Sequence, residues 1–143
     1  MKKNFRLLQT EVQRMKKMVP TVDELRIIDL MRDYRVIRKA YFGNTIPVVE
    51  DVFIRFLSQK EIGRFTGEGG TLGACSAGVP GKYSPHVLAI ADDLSVNETR
   101  ITLLHEMAHL KVDLNFPRAR GHGKHWLAEM KRLARIGAFE RWW

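Results

Sequence analysis

Cysteine is almost missing from the chain: Cys75 stands alone among 143 residues. One thiol cannot close an internal disulfide or build a four-cysteine zinc ribbon, so any bound metal must be held by histidines and carboxylates. Long apolar runs are also lacking. No stretch approaches the roughly 18 residues of a membrane span, although 45% of the residues are apolar, too many for a disordered chain. The N-terminus starts basic, but Gln9, Glu11 and Gln13 break the apolar stretch that follows, so no signal-peptide core forms and a cytoplasmic, nucleoid-compatible protein is expected. Acidic residues are in short supply, 16 against 24 Lys and Arg, and the deficit is uneven. Residues 1–50 carry 11 basic and 6 acidic groups, 51–100 carry 5 and 6, and 101–143 carry 8 and 4. Basic ends suit a polyanion such as DNA, while lysines and arginines on solvated helix faces give the same sum without a partner.

Repeats and low-complexity tracts are absent, and glycine concentrates only between residues 63 and 81. The length suits a single domain over 1–143. Phe5, Leu8, Val12 and Met15 recur at helical spacing among lysines and arginines, which predicts a basic amphipathic helix over about residues 4–18. After Pro20, the run Thr21-Val22-Asp23-Glu24 reads as a capping box for a second helix to about Tyr41, with Ile27, Met31, Tyr34, Ile37 and Tyr41 as its buried stripe and Gly43-Asn44 as its stop. Val52–Leu57 and His86–Ile90 read as strands, and Arg64 to Ser76 as the source of one or two more. Ser95 is a good N-cap for a helix to Leu114, and a last helix is expected over Lys124–Ile136. Segments 1–20, 21–95, 96–136 and 137–143 are thus a basic helix, a helix plus sheet, a pair of helices with their loop, and a tail. The order implies an α+β fold with a small, mainly antiparallel sheet.

Within the third helix lies His105-Glu106-Met107-Ala108-His109, an H-E-x-x-H sequence. Residues four apart share a helix face, so both imidazoles can reach one Zn²⁺, while Glu106 can hydrogen-bond a metal-bound water and act as general base in attack on a carbonyl. With 5 His and 9 Glu in the chain, the pattern arises by accident on the order of once in a hundred such chains. The helix around it is apolar nearly all round, a setting in which unpaired imidazoles are costly and a metal would satisfy them. Zinc needs a third protein ligand, and the candidates are His122, between two glycines, and His125 and Glu129 on the last helix. Val112 and Asn115 occupy the places where a metzincin has its Gly and final His, which excludes that class.

Thr102-Leu103-Leu104-His105-Glu106-Met107-Ala108-His109, followed by Gly121-His122-Gly123-Lys124-His125-Trp126, resembles the SprT-like zinc metallopeptidase family, with its L-L-H-E helix and G-H-G-x-x-[FW] element. The resemblance implies a zincin-like fold, one zinc held by His105, His109 and His122, Glu106 as the catalytic residue, and protein substrates trapped on DNA. Upstream, Thr71–Ser76 resembles the family's L-G-x-C strand, which borders the cleft, so residues 71–77 are expected to pair with extended substrate. Relatives often have Glu where this chain has His125, which reads as a helix-surface residue or a neighbour that polarises the substrate carbonyl. Elsewhere, Trp142-Trp143 reads as cover for a core rather than a stacking platform for bases, and Cys75 as a small buried residue. Tyr83 is an oxyanion stabiliser only if its loop reaches the metal.

Overall fold

The computed structural model describes residues 22–66, 72–78, 85–118 and 121–140. The expected first helix, the Thr21 cap, Tyr83 and Trp142-Trp143 lie outside them. Among the described residues, four α-helices and three strands form an α+β fold: α1 (Val22–Ile37), β1 (Val52–Leu57), α2 (Gln59–Thr66), β2 (Gly73–Ser76), β3 (His86–Ala91), α3 (Val96–Asn115) and α4 (Lys124–Arg135).

Helix α1 buries Leu30, Tyr34 and Ile37, and half-buries Ile27 and Met31. The expected run to Tyr41 continues as a π-helical turn, Arg38–Phe42. Both Tyr41 and Phe42 of that turn are buried in the core. Gly43 stops it with φ of 57°, a left-handed backbone that suits glycine, and its N–H donates to the Arg38 carbonyl.

The sheet order is β1-β3-β2. β1 runs parallel to β3 from Val52↔His86 to Leu57↔Ala91, and β2 runs antiparallel to β3 from Gly73↔Ile90 to Ser76↔Val87. The sheet is therefore mixed, not mainly antiparallel. The reason lies in residues 58–85, where α2 and β2 intervene between β1 and β3 and return the chain to start β3 beside the start of β1. Helix α2 occupies part of the stretch expected to form strands, and its start is a capping motif: Ser58 Oγ accepts from the Glu61 N–H at 3.1 Å.

Being central, β3 is covered on both faces, which is why it reads as one apolar run. Leu88 and Ile90 join the main core with Val52, Ile54, Tyr34, Leu103, Leu104, Met107 and Leu110. The alternate residues Ala89 and Ala91 pack on the other face with Ala74 and Ile62 of α2. Helix α3 starts at the expected Ser95, with both hydrogen bonds of a capping box to Glu98 in place. Helix α4 starts at Lys124 as expected and ends in a Schellman cap: the Ala138 N–H donates to Leu133 O, the Gly137 N–H donates to Ala134 O, and Gly137 has φ of 77°. No helix among the described residues is long and apolar enough to cross a membrane.

Candidate metal centre

The spacing of α3 sets Thr102, His105, Glu106, His109 and Asp113 along one face, and all five line a cleft of about 700 Å³ whose opposite wall includes residues 72–75 of β2 and its approach. His105 and His109 are half-buried, and their Nε2 atoms stand 3.2 Å apart. His122 comes from the turn before α4, exposed, with its Nε2 also 3.2 Å from His109 Nε2. The three ligand atoms all lie within 4.8 Å of one another. Three nitrogens each about 2.0–2.1 Å from a tetrahedral zinc stand about 3.3 Å apart, so this spacing suits such an ion. Hydrogen bonding alone serves the cluster poorly. A proton on His109 Nε2 can be donated well to only one neighbour, which leaves the other contact without a hydrogen bond, whereas a cation satisfies all three nitrogens.

The surroundings keep His105 and His109 neutral, the state that ligates. Burial pushes the His105 pKa down, with His122 adding to it, and burial followed by His105 and His122 takes His109 down to about 4. Trp126, on the first turn of α4, braces the cluster: its ring lies 5.0 Å from His105, 5.4 Å from His109 and 4.5 Å from His122, centroid to centroid. Glu106, beside the first histidine, is 6% exposed. Burial, and secondarily the charge of Asp113, raise its pKa to about 7. Asp113 is one turn beyond His109 and accepts a long hydrogen bond from Cys75 Sγ at 4.0 Å. Sequence reasoning passed over Asp113, although its i, i+4 relation to His109 puts it on the site face. Cys75 is only half-buried, in the cleft wall, where burial, Asp113 and Glu106 each push its thiol pKa up and so keep it protonated.

Two of the three candidate third ligands are occupied elsewhere. The His125 ring stacks on Phe116 at 3.6 Å with 11° between planes. Glu129 is buried, accepting from Lys111 Nζ at 2.8 Å and from Arg132 Nε at 3.0 Å, while Arg132 Nη2 also donates to the Tyr41 carbonyl at 2.8 Å. Its carboxylate ties α3 to α4, and through Arg132 to the π-helical turn that follows α1. Only His122 joins the histidine pair among the described residues.

Residues 83–140 match the SprT-like family. Over that stretch the chain is similar to the SprT-like family. The SprT-like segment contains β3, α3 with its histidine pair, the His122 turn and α4, so every candidate metal ligand falls inside it. α1, β1 and the cleft-bordering strand β2 precede it. No curated protein and no solved structure matches the chain significantly.

Proposed function

We propose that the chain is a zinc-dependent endopeptidase of SprT-like, zincin-like type. The observation that carries this reading is the convergence of three imidazoles beside a buried carboxylate in one open cleft. His105, His109 and His122 would hold the ion, which when bound supplies Lewis-acid activation of water and of the scissile carbonyl. Glu106 takes a proton at its carboxylate during attack and returns it to the departing amine; a pKa near 7 suits both directions of that transfer. Strand β2 pairs with β3 on one side only among the described residues, so its outer edge can receive an extended peptide alongside the cleft.

The substrates proposed are proteins associated with or crosslinked to DNA, which the net charge of +8 and the basic ends favour. The test is cleavage of a DNA-binding protein by the zinc-loaded chain, with and without single-stranded DNA, beside Glu106→Gln. Expected is DNA-stimulated cleavage that the variant loses while keeping its zinc. Cleavage that persists in the variant refutes the general-base assignment. Cleavage indifferent to DNA moves the substrate to free partner proteins.

A further inference from the structure

We propose that Gly73 is a positioning residue: strand β2 lies so close to α3 that only a residue without a side chain leaves the Glu106 carboxylate where it stands. The inference rests on Glu106 being the general base, and it concerns a residue outside the stretch that matches the family. Glycine is not required here by backbone conformation. Positive φ among the described residues occurs only at Gly43 and Gly137. What Gly73 supplies is space. A Cβ built on it would stand 2.9 Å from Glu106 Cγ, 2.9 Å from Thr102 Cγ2 and 3.0 Å from Glu106 Oε1. Carbon atoms in contact prefer about 3.5–4.0 Å, so a methyl group would have to gain roughly 0.5–1 Å from one side or the other.

The strand cannot supply that distance. Gly73 is in antiparallel register with Ile90, and the Leu72 carbonyl accepts from the Ala91 N–H at 2.8 Å. The next residue, Ala74, is 4% exposed in the core shared with Ile62, Ala89 and Ala91. Helix α3 is equally fixed, since Leu103, Leu104, Met107 and Ala108 on its far side are fully buried. Thr102 is β-branched and buried, so its methyl has little freedom. The displacement therefore falls on the Glu106 side chain, whose carboxylate is the end free to swing into the cleft. The histidines make none of these contacts, so metal binding and carboxylate position are separable at Gly73.

The experiment compares wild type, Gly73→Ala and the double variant Gly73→Ala/Thr102→Ser, each measured for zinc stoichiometry, crystal structure and steady-state cleavage of the DNA-binding protein. In Gly73→Ala one zinc per chain is retained, the Glu106 carboxylate is displaced, kcat falls roughly 100-fold and KM stays within about twofold. Loss of the Thr102 methyl relieves one of the contacts and leaves those to Glu106, so the double variant recovers roughly tenfold of that loss. A Glu106 carboxylate at its wild-type position in Gly73→Ala, or an unchanged kcat, overturns the proposal. If Gly73→Ala does not fold, the double variant carries the test, and a wild-type carboxylate position and rate in it overturn the proposal in the same way. A wild-type enzyme insensitive to Glu106→Gln would instead remove the general-base reading, while the crystal structures would still decide whether Gly73 sets the carboxylate.

Discussion

Removing the Glu129 carboxylate should destabilise the protein strongly and leave its metal in place. In Glu129→Ala, Lys111 Nζ loses a partner at 2.8 Å, and Arg132 loses both the 3.0 Å contact from Nε and the 2.5 Å contact from Nη2. The side chain of Glu129 is 8% exposed and that of Lys111 17%, so Lys111 becomes a largely buried cation without its anion. Breaking a buried pair from one side costs about 3–5 kcal/mol. Arg132 is 36% exposed and keeps its bond to the Tyr41 carbonyl, which places the loss near the lower end, about 3 kcal/mol. For a chain of this length that is a fall of roughly 12 °C in melting temperature, read by calorimetry at pH 7 with zinc content measured in parallel.

The acid limb supplies an internal control. Burial alone would raise the Glu129 pKa, but the hydrogen bonds from Arg132 and Lys111, with their charges, outweigh it and hold the carboxyl below its usual 4.5. A carboxylate depressed on folding contributes stability that is complete above 4.5 and disappears as pH falls through the lower folded value. The gap between wild type and Glu129→Gln should therefore be widest near neutrality and close below pH 4.5. A variant that loses zinc while melting at the wild-type temperature would refute this reasoning and return Glu129 to the list of ligands.

Two further predictions separate the residues around the metal. Trp126→Ala removes the ring against which all three imidazoles rest, and zinc affinity should fall roughly 10–100-fold by competition with a chromogenic chelator; unchanged affinity would show that the histidines hold their positions unaided. His125→Ala should keep zinc and kcat while losing about 1 kcal/mol or less from the Phe116 stack, and a fall in kcat at unchanged stability would reinstate it as a substrate contact.

What could be seen in the sequence was what local signals encode. Ser95 and Glu98 announce α3, glycines bracket the His122 turn, and β-branched runs mark β1 and β3, so those elements sit within a residue or so of where they were expected. Helix α2 was overlooked even though Ser58-x-x-Glu61 is a capping signal, because the glycines that follow drew the reading towards strands and turns. Strand direction had no local signature, since it depends on how β1, β2 and β3 pair, which is not encoded in any one strand. In the site, His105 and His109 were legible from their spacing alone. Choosing His122 over His125 and Glu129 rested on the G-H-G-x-x-[FW] resemblance and not on spacing, because the partners that occupy Glu129 reach it from Lys111, 18 residues away, as well as from its own helix. Gly73 is harder still: close approach between a strand and a distant helix leaves no mark in the residues beside it.

The candidate ligands all fall between residues 105 and 122, on one helix and the turn that follows it, whereas Glu106 lies close against a strand that arrives from residue 73. On the proposed reading, ion capture would be a short-range property of the chain and catalytic alignment a long-range one. A molecule whose sheet had not assembled would then be able to carry its metal and still lack a working base. On that reading the metal content of a preparation would not measure its active fraction, and titration of active sites would have to replace it.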